Sequence, residues 1–273
     1  MIDAHQHFWR FDAREYGWID NTMGRIRRDF LPADASGDMQ AAGVEACVAV
    51  QARQTLAETQ WLLDLAARHP SIAAVVGWID LQGDVDAQIA AFGDAPALAG
   101  VRHVVQGEAD GFLERPAFLQ GIGRLERFGL AYDILVYARQ LPAAVAFARR
   151  FPRQRFVLDH LGKPEVRSGA FDEWRRQVES LAGLPHVWCK LSGLVTEADW
   201  ATWTPAQLRP YLDAALEAFG PARVMMGTDW PVCLVAASYR DVVALVTDAI
   251  TEYSIDEQRQ ILGDNARQFW NFL

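Results

Sequence analysis

The amino-acid sequence predicts one (β/α)8 barrel that occupies residues 1–273. Eight short apolar runs recur along the chain, and stretches with helical spacing of apolar residues separate them. Neither a linker nor a change in composition divides the chain. This alternation predicts parallel strands joined by right-handed crossovers, and eight such strands close a barrel. An open, doubly wound sheet is the alternative, but eight units in one unbroken domain favour closure.

Several predicted strands are nearly continuous in apolar residues, which is typical of strands covered on both faces. In chain order the strands are Ile2–His7, Ala46–Gln51, Ala74–Leu81, Gly100–Gln106, Ala131–Val136, Arg155–Leu161, Val187–Leu194 and Arg223–Thr228. Helical spacing is clear in Thr59–Arg68 and Leu141–Arg149, where apolar residues recur at three- and four-residue steps. The first connection, from Phe8 to about Asp34, is predicted to be the longest insertion and is rich in aromatic residues.

Composition excludes several classes of protein. Of the 273 residues, 51% are hydrophobic and 22% are charged, so the chain can bury a large core. The net charge of −9 argues against a nucleic-acid-binding protein, which needs a basic face. We expect no membrane-spanning helix and no signal peptide, and therefore a cytoplasmic protein. Three scattered cysteines are too few for a disulfide framework, and no nucleotide-binding loop is predicted.

Polar residues interrupt the predicted strands near their carboxyl ends, where barrel enzymes carry their reactive groups. His5 and His7 on the first strand share one face and lie about 7 Å apart along the strand. Asp159 and His160 end the sixth strand, and Asp229 follows the eighth. Alone, the two histidines of the first strand could be polar residues of a half-exposed strand, and the groups of the sixth and eighth strands could each be a helix cap or a structural ion pair. Together they predict one site that could bind a metal ion or remove a proton from water.

These residues carry a resemblance to a known family. His5-x-His7, Asp159-His160-x-Gly162-Lys163-Pro164 and Gly227-Thr228-Asp229-Trp230-Pro231 resemble the motifs of the amidohydrolase superfamily. Further segments resemble its sugar-lactonase branch, whose members hydrolyse L-fuconolactone or L-rhamnonolactone. These segments are Asp20-Asn21-Thr22-Met23-Gly24, Val50-Gln51-Ala52-Arg53, Gly100-Val101-Arg102-His103 and Cys189-Lys190-Leu191-Ser192-Gly193-Leu194.

The resemblance implies a barrel that hydrolyses a cyclic ester, with a sugar lactone as substrate. It does not imply a binuclear metal centre, because the fifth strand contains no histidine and the fourth offers Arg102 and His103 instead of a lysine. His5, His7, His160 and Asp229 could hold a single zinc ion. The lactonase branch is also similar to enzymes that work without a metal.

Lactone hydrolysis needs a base for the attacking water and a donor for the developing oxyanion. We expect Asp229 to be the general base, with His5, His7 and His160 lining the carbonyl or orienting the water, with or without zinc. The candidate oxyanion or hydroxyl donors are Arg102, His103 and Lys190. Strand alternation sends Arg102 and His103 to opposite faces, and we expect His103 to face the interior. A buried salt bridge is the alternative role for Lys190.

Substrate-binding residues are expected beside the strand ends. Trp9, Trp230 and Gln51 are the candidates, and core packing is the alternative for the two tryptophans. Two other functions remain open at this point: a metal-dependent decarboxylase of the wider superfamily, and an inactive barrel that only binds. The sequence does not predict the oligomeric state.

Overall fold

The computed structural model describes residues 1–272, in which eight parallel strands form a nearly closed barrel in the order of the chain. The strands are β1 (Ile2–Gln6), β2 (Ala46–Val50), β3 (Ile72–Gly77), β4 (Leu98–His103), β5 (Ala131–Ile134), β6 (Phe156–Leu158), β7 (Val187–Leu191) and β8 (Val224–Met226). The predicted fold class is therefore confirmed. Every strand ends one to four residues earlier than the sequence pattern suggests.

The seam between the first and last units is closed after β8 ends. The amide of His7 donates to the carbonyl of Trp230 at 2.7 Å, and the amide of Asp229 donates to the carbonyl of His5 at 2.9 Å. These hydrogen bonds hold the two ends of the barrel together. They also bring Asp229 beside the two histidines of the first strand.

Helices pack around the strands and follow the predicted alternation. They are α1 (Pro32–Ala41), α2 (Leu56–Arg68), α3 (Val85–Ala91), α4 (Pro116–Leu125), α5 (Leu141–Arg149), α6 (Asp172–Ala182), α7 (Pro205–Phe219), α8 (Tyr239–Ala249), α9 (Ile255–Arg259) and α10 (Asn265–Trp270). The bounds of α5 match the prediction, whereas α2 begins three residues before Thr59, where Thr55 caps it by accepting from the amide of Glu58. No helix among residues 1–272 is both long enough and apolar enough to cross a membrane.

A cluster of apolar side chains from the strands and α10 fills the interior of the barrel. Small and branched side chains from the strands meet α10, whose Phe269 and Trp270 pack against their amino-terminal half. The cluster comprises Ile2, Ala4, Val48, Val50, Ala74, Val76, Ala131, Val157, Met225, Ala266, Phe269 and Trp270. Because this end is filled, the interior of the barrel leaves space for a ligand at the carboxyl ends of the strands.

A bulge in β1 lets Asp3 and His5 point in different directions, so that Asp3 has a structural role and His5 lies in the site. The register shifts by one residue between Asp3 and Gln6, relative to β2. Strict alternation would place Asp3 on the same face as His5, yet its carboxylate accepts from Gln6 Nε2 at 2.8 Å and from the hydroxyl of Tyr239, on α8, at 3.1 Å. Asp3 therefore ties the barrel to a surrounding helix.

Candidate active site

A cavity of about 160 Å³ lies at the carboxyl ends of the strands. Its walls combine charged, imidazole and apolar side chains from the loops after most of the strands. The lining residues are His7, Trp18, Ala52, Arg102, Val104, Gln106, Leu135, His160, Lys163, Asp229 and Val232. A larger depression of about 500 Å³ lies near α3 and α4, but none of the predicted site residues lines it.

The predicted histidines and Asp229 converge at the base of this cavity. His7 Nε2 lies 3.2 Å from both His5 Nε2 and Asp229 Oδ1. Asp229 Oδ1 is also 3.8 Å from His5 Nε2 and 3.9 Å from His160 Nε2. One nitrogen or oxygen atom from each of His5, His160 and Asp229 lies within 4.8 Å of the others, which is close enough for a shared metal ion.

The opposite nitrogen of each imidazole contacts a second polar group. His7 Nδ1 lies 2.8 Å from the carbonyl oxygen of Val50, which can only accept, so Nδ1 carries a proton and donates it in this hydrogen bond. His160 Nδ1 lies 2.9 Å from Ser192 Oγ, and His5 Nδ1 lies 3.4 Å from Asp159 Oδ1. Outer partners of this kind orient metal-binding histidines.

Burial sets the protonation of the site. Burial lowers the pKa of His160 to about 4, and burial together with Lys190 lowers the pKa of His5 well below its usual value. Both imidazoles are therefore neutral at neutral pH. Burial alone would raise the pKa of Asp229, but neighbouring His160 and His7 more than offset it and hold the pKa below its usual value. The site thus presents the neutral imidazoles of His5 and His160 and the ionised carboxylate of Asp229.

Arg102, and not His103, faces the barrel interior. Arg102 Nη1 lies 3.0 Å from Asp159 Oδ2 and 3.3 Å from His5 Nε2. The expectation that His103 points inward is wrong: its ring stacks on Phe112 with centroids 4.6 Å apart, outside the barrel. The two interior aspartates require a cation, whereas the outer aromatic cluster accommodates an imidazole.

Lys190 lies beneath the cavity and does not line it. Its Nζ is 2.9 Å from Asp159 Oδ1 and 3.1 Å from His5 Nδ1, and it also donates to Asp133. Burial raises the pKa of Asp133, whereas Lys190, His5 and Arg102 overcome burial and hold the pKa of Asp159 well below its usual value. This geometry favours the buried salt bridge over direct contact with a substrate.

The three expected substrate-binding residues lie behind the cavity wall. Trp9 is fully buried and donates from Nε1 to the carbonyl of Arg28 at 2.8 Å. Trp230 is also buried, and Gln51 donates to the backbone carbonyl of Arg102 at 3.3 Å. None of the three lines the cavity. Their positions instead match the core-packing alternative for the tryptophans.

Trp18 and Lys163 line the cavity, although the sequence patterns did not single them out. Trp18 is 42% exposed and belongs to the aromatic insertion after β1, which was the available signal. Lys163 lies in the Asp-His-x-Gly-Lys-Pro motif, four residues after Asp159. Strand periodicity cannot detect either residue, because both belong to irregular loops.

A left-handed turn aims the residues that follow β6. His160, Leu161, Gly162 and Lys163 have φ values of 53°, 54°, 70° and 48°. Three of these residues carry a β-carbon, and consecutive residues of this kind are energetically costly, which is typical of functional sites. The turn directs both His160 and Lys163 to the cavity.

Nearly the whole chain matches one known protein family. A family model described as amidohydrolase matches residues 2–272. The chain belongs to the amidohydrolase family. This amidohydrolase is 47% identical to an L-fucono-1,5-lactonase of Burkholderia multivorans, over 97% of this chain and 94% of that protein. It is 40% identical to an L-fucono-1,5-lactonase of Burkholderia ambifaria, over 98% of this chain and 94% of that protein.

The fold is also similar to that of a solved amidohydrolase. The crystal structure of an amidohydrolase from Burkholderia multivorans with bound zinc has 44% sequence identity and a TM-score of 0.96, and the match covers 100% of this chain and 99% of that one. In the present amidohydrolase, the imidazole nitrogens and the carboxylate of the site form a donor set that suits zinc. The residues present therefore fit a metal ion.

Proposed function

We propose that this amidohydrolase opens a sugar lactone by hydrolysis, with L-fucono-1,5-lactone as the substrate. The observation that carries the proposal is the ionised Asp229 at the base of a cavity of about 160 Å³. This volume is below the ~300–1,000 Å³ of sites for drug-sized ligands and suits a single small ring. The two lactonase relatives support hydrolysis over decarboxylation.

Asp229 acts as the general base in this proposal. Its carboxylate removes a proton from a water molecule while the water oxygen attacks the carbonyl carbon of the lactone. The electrons of the C=O bond move to the carbonyl oxygen, and the guanidinium of Arg102, which lines the cavity, stabilises the resulting negative charge. His7, at 3.2 Å from Asp229 Oδ1, orients the carboxylate and the water.

The same carboxylate completes the reaction. When the tetrahedral intermediate collapses, the bond between the carbonyl carbon and the ring oxygen breaks, and protonated Asp229 returns its proton to the departing alkoxide. The product is an open-chain hydroxy acid, which loses its remaining acidic proton to solvent at neutral pH. Asp229 is then ionised again for the next cycle.

His5, His160 and Asp229, with His7 beside them, would hold one zinc ion. When bound, the zinc would polarise the lactone carbonyl or lower the pKa of the water. Calorimetric titration with zinc should give one site in the native protein and a strongly weakened site in His160→Ala. Equal zinc affinity in the two proteins would contradict this ligand set. Turnover with and without a chelator then measures whether the reaction needs the metal.

Replacement of Asp229 tests the proposed base. Asp229→Asn keeps the shape of the side chain but cannot accept the proton, so we expect kcat for L-fucono-1,5-lactone to fall by about 10²- to 10⁴-fold. Proton release in weak buffer measures the rate. Asp94→Asn, at an exposed position, is the control and should keep the native rate. A folded Asp229→Asn protein with near-native turnover would refute the assignment.

A further inference from the structure

Lys163 places a cationic side chain in the wall of the active-site cavity. Its side chain is 15% exposed, and Nζ lies 3.1 Å from Glu197 Oε1 and 5.6 Å from the centre of the Tyr137 ring. The left-handed backbone of Lys163, with φ of 48°, directs the side chain from the turn after β6. The ammonium is therefore held in place on the same turn that carries His160.

The two cations of the cavity wall, Arg102 and Lys163, differ in the protein groups that they contact. Arg102 Nη1 contacts Asp159 and His5, and Nη2 donates to the carbonyl of Gln51. Lys163 has three N–H donors and one anionic partner, Glu197. Lys163 therefore keeps N–H donors for a ligand.

Hydrolysis of a lactone creates a charge that the substrate lacks. The lactone is neutral, but its product carries a carboxylate at the carbon that the water attacked, beside the carboxylate of Asp229. Two neighbouring carboxylates repel each other unless a cation lies between or beside them. Lys163 meets this need, because its side chain lines the same cavity as Asp229 and belongs to the turn that carries His160.

We propose that Lys163 binds the carboxylate of the ring-opened product, and that Glu197 limits the strength of this binding by partly neutralising Lys163. The inference rests on the proposed lactone hydrolysis. It makes Lys163 a product-recognition residue, and it makes the Lys163–Glu197 pair a control on product release.

Calorimetric titration with L-fuconate tests the inference without any turnover. In Lys163→Gln we expect the Kd for L-fuconate to rise about tenfold or more, because a charge-assisted hydrogen bond is lost. The Kd for L-fucitol, which lacks the carboxylate, should change less than about twofold. In Glu197→Gln, which still accepts from Lys163 but carries no charge, L-fuconate should bind about threefold more tightly.

A Kd for L-fuconate within about twofold of the native value in Lys163→Gln would overturn the inference, as would an equal loss of affinity for L-fucitol. Thermal unfolding confirms that each variant is folded. Lactone hydrolysis by the native protein tests the proposed function separately. A native protein that hydrolyses the lactone but binds L-fuconate without help from Lys163 refutes this inference alone, whereas a native protein that hydrolyses no lactone refutes the proposed function.

Discussion

Two glycines allow the backbone to approach the histidines of the site. A β-carbon on Gly193 would lie 2.5 Å from His160 Nδ1, and a β-carbon on Gly227 would lie 2.9 Å from the β-carbon of His5. Both distances are too short for any side chain without displacement of the imidazole. These glycines belong to the motifs that carry the resemblance, and the structure supplies the physical reason for them.

Gly193→Ala should therefore displace His160. The residue also has φ of +63°, so alanine adds a backbone cost of about 1–2 kcal/mol. We expect kcat/KM to fall about a hundredfold, because a shift of about 1 Å in a catalytic group has effects of this size. Gly169→Ala is the matched control, since φ is +71° but nothing lies within 4 Å of the added carbon. Unfolding measurements and initial rates compare the two variants. If both lose the same stability and both keep the native kcat/KM, the position of His160 does not matter for the reaction, and its proposed place in the site is wrong.

The sequence predicts which residues form the site better than it predicts the direction in which their side chains point. His5, His7, His160 and Asp229 lie together as predicted, because all four lie at strand ends. The choice between Arg102 and His103 was wrong, because alternation fixes only that the two point apart. The direction depends on the interior aspartates, which are brought near only by folding.

At the scale of elements, one buried carboxylate joins two loops that border the cavity. Glu58, in the first turn of α2, accepts from the amides of Ala52 and Arg53 and from the hydroxyl of Tyr16. Trp18, in the same insertion as Tyr16, donates from Nε1 to the carbonyl of Ala52 at 3.1 Å. Glu58 thus holds the insertion after β1 against the loop after β2.

Removal of this anchor should weaken substrate binding more than it slows chemistry. In Glu58→Ala the amides of Ala52 and Arg53 lose their acceptor. The part of the cavity wall that Trp18 and Ala52 form is then no longer held in a fixed position. We expect KM to rise about tenfold, with kcat changed less than about threefold. Glu58→Gln keeps an oxygen toward both amides and should have near-native kinetics. A fall in kcat with unchanged KM would contradict the positioning role.

The same carboxylate makes stability depend on pH. Burial raises the pKa of Glu58 from 4.5 to about 7, so the folded protein binds more protons than the unfolded chain between these values. The contribution of Glu58 to stability is therefore present below pH 4.5 and lost as pH rises toward about 7. Relative to the native protein, Glu58→Gln should gain on the order of 3 kcal/mol across this window, as measured by urea unfolding. A constant difference between the two proteins would contradict the raised pKa.

The lengths of the elements were the weakest part of the sequence prediction. The apolar pattern predicts a sixth strand as far as Leu161, yet β6 ends at Leu158 and a left-handed turn follows. The pattern reports burial, and the turn is as buried as the strand. The apolar periodicity therefore could not separate the strand from the turn that carries His160 and Lys163.

At the scale of the whole molecule, the barrel is filled at one end and open at the other. Trp270 of α10 is 4% exposed, and Lys190 Nζ lies 4.9 Å from its ring centre. The helix thus closes the barrel beneath the buried ion pairs. The sequence predicted the barrel correctly because eight alternating units leave few other topologies, but it did not predict this closure, since Trp270 is remote along the chain from the strands that it contacts.

Trp270→Ala should lower stability far more than it lowers activity. The loss of a large buried side chain costs about 3–5 kcal/mol, and we expect Tm to fall by roughly 10 °C. At low temperature, the folded variant should retain kcat/KM within about threefold. Trp18→Ala is the contrasting variant: Trp18 is 42% exposed, so Tm should hardly change, while KM should rise. Calorimetry and initial rates distinguish the two, and an unchanged Tm in Trp270→Ala would contradict the role of α10.

The buried charges under the cavity restrict how this sequence can diverge. Asp133 and Asp159 are balanced by Lys190 and Arg102, and all four side chains lie almost entirely out of contact with solvent. Loss of one member leaves a buried charge uncompensated and costs about 3–5 kcal/mol, whereas loss of an oppositely charged pair is often tolerated. Descendants of this protein should consequently exchange Lys190 and Asp133 together, so that the two positions covary across lineages.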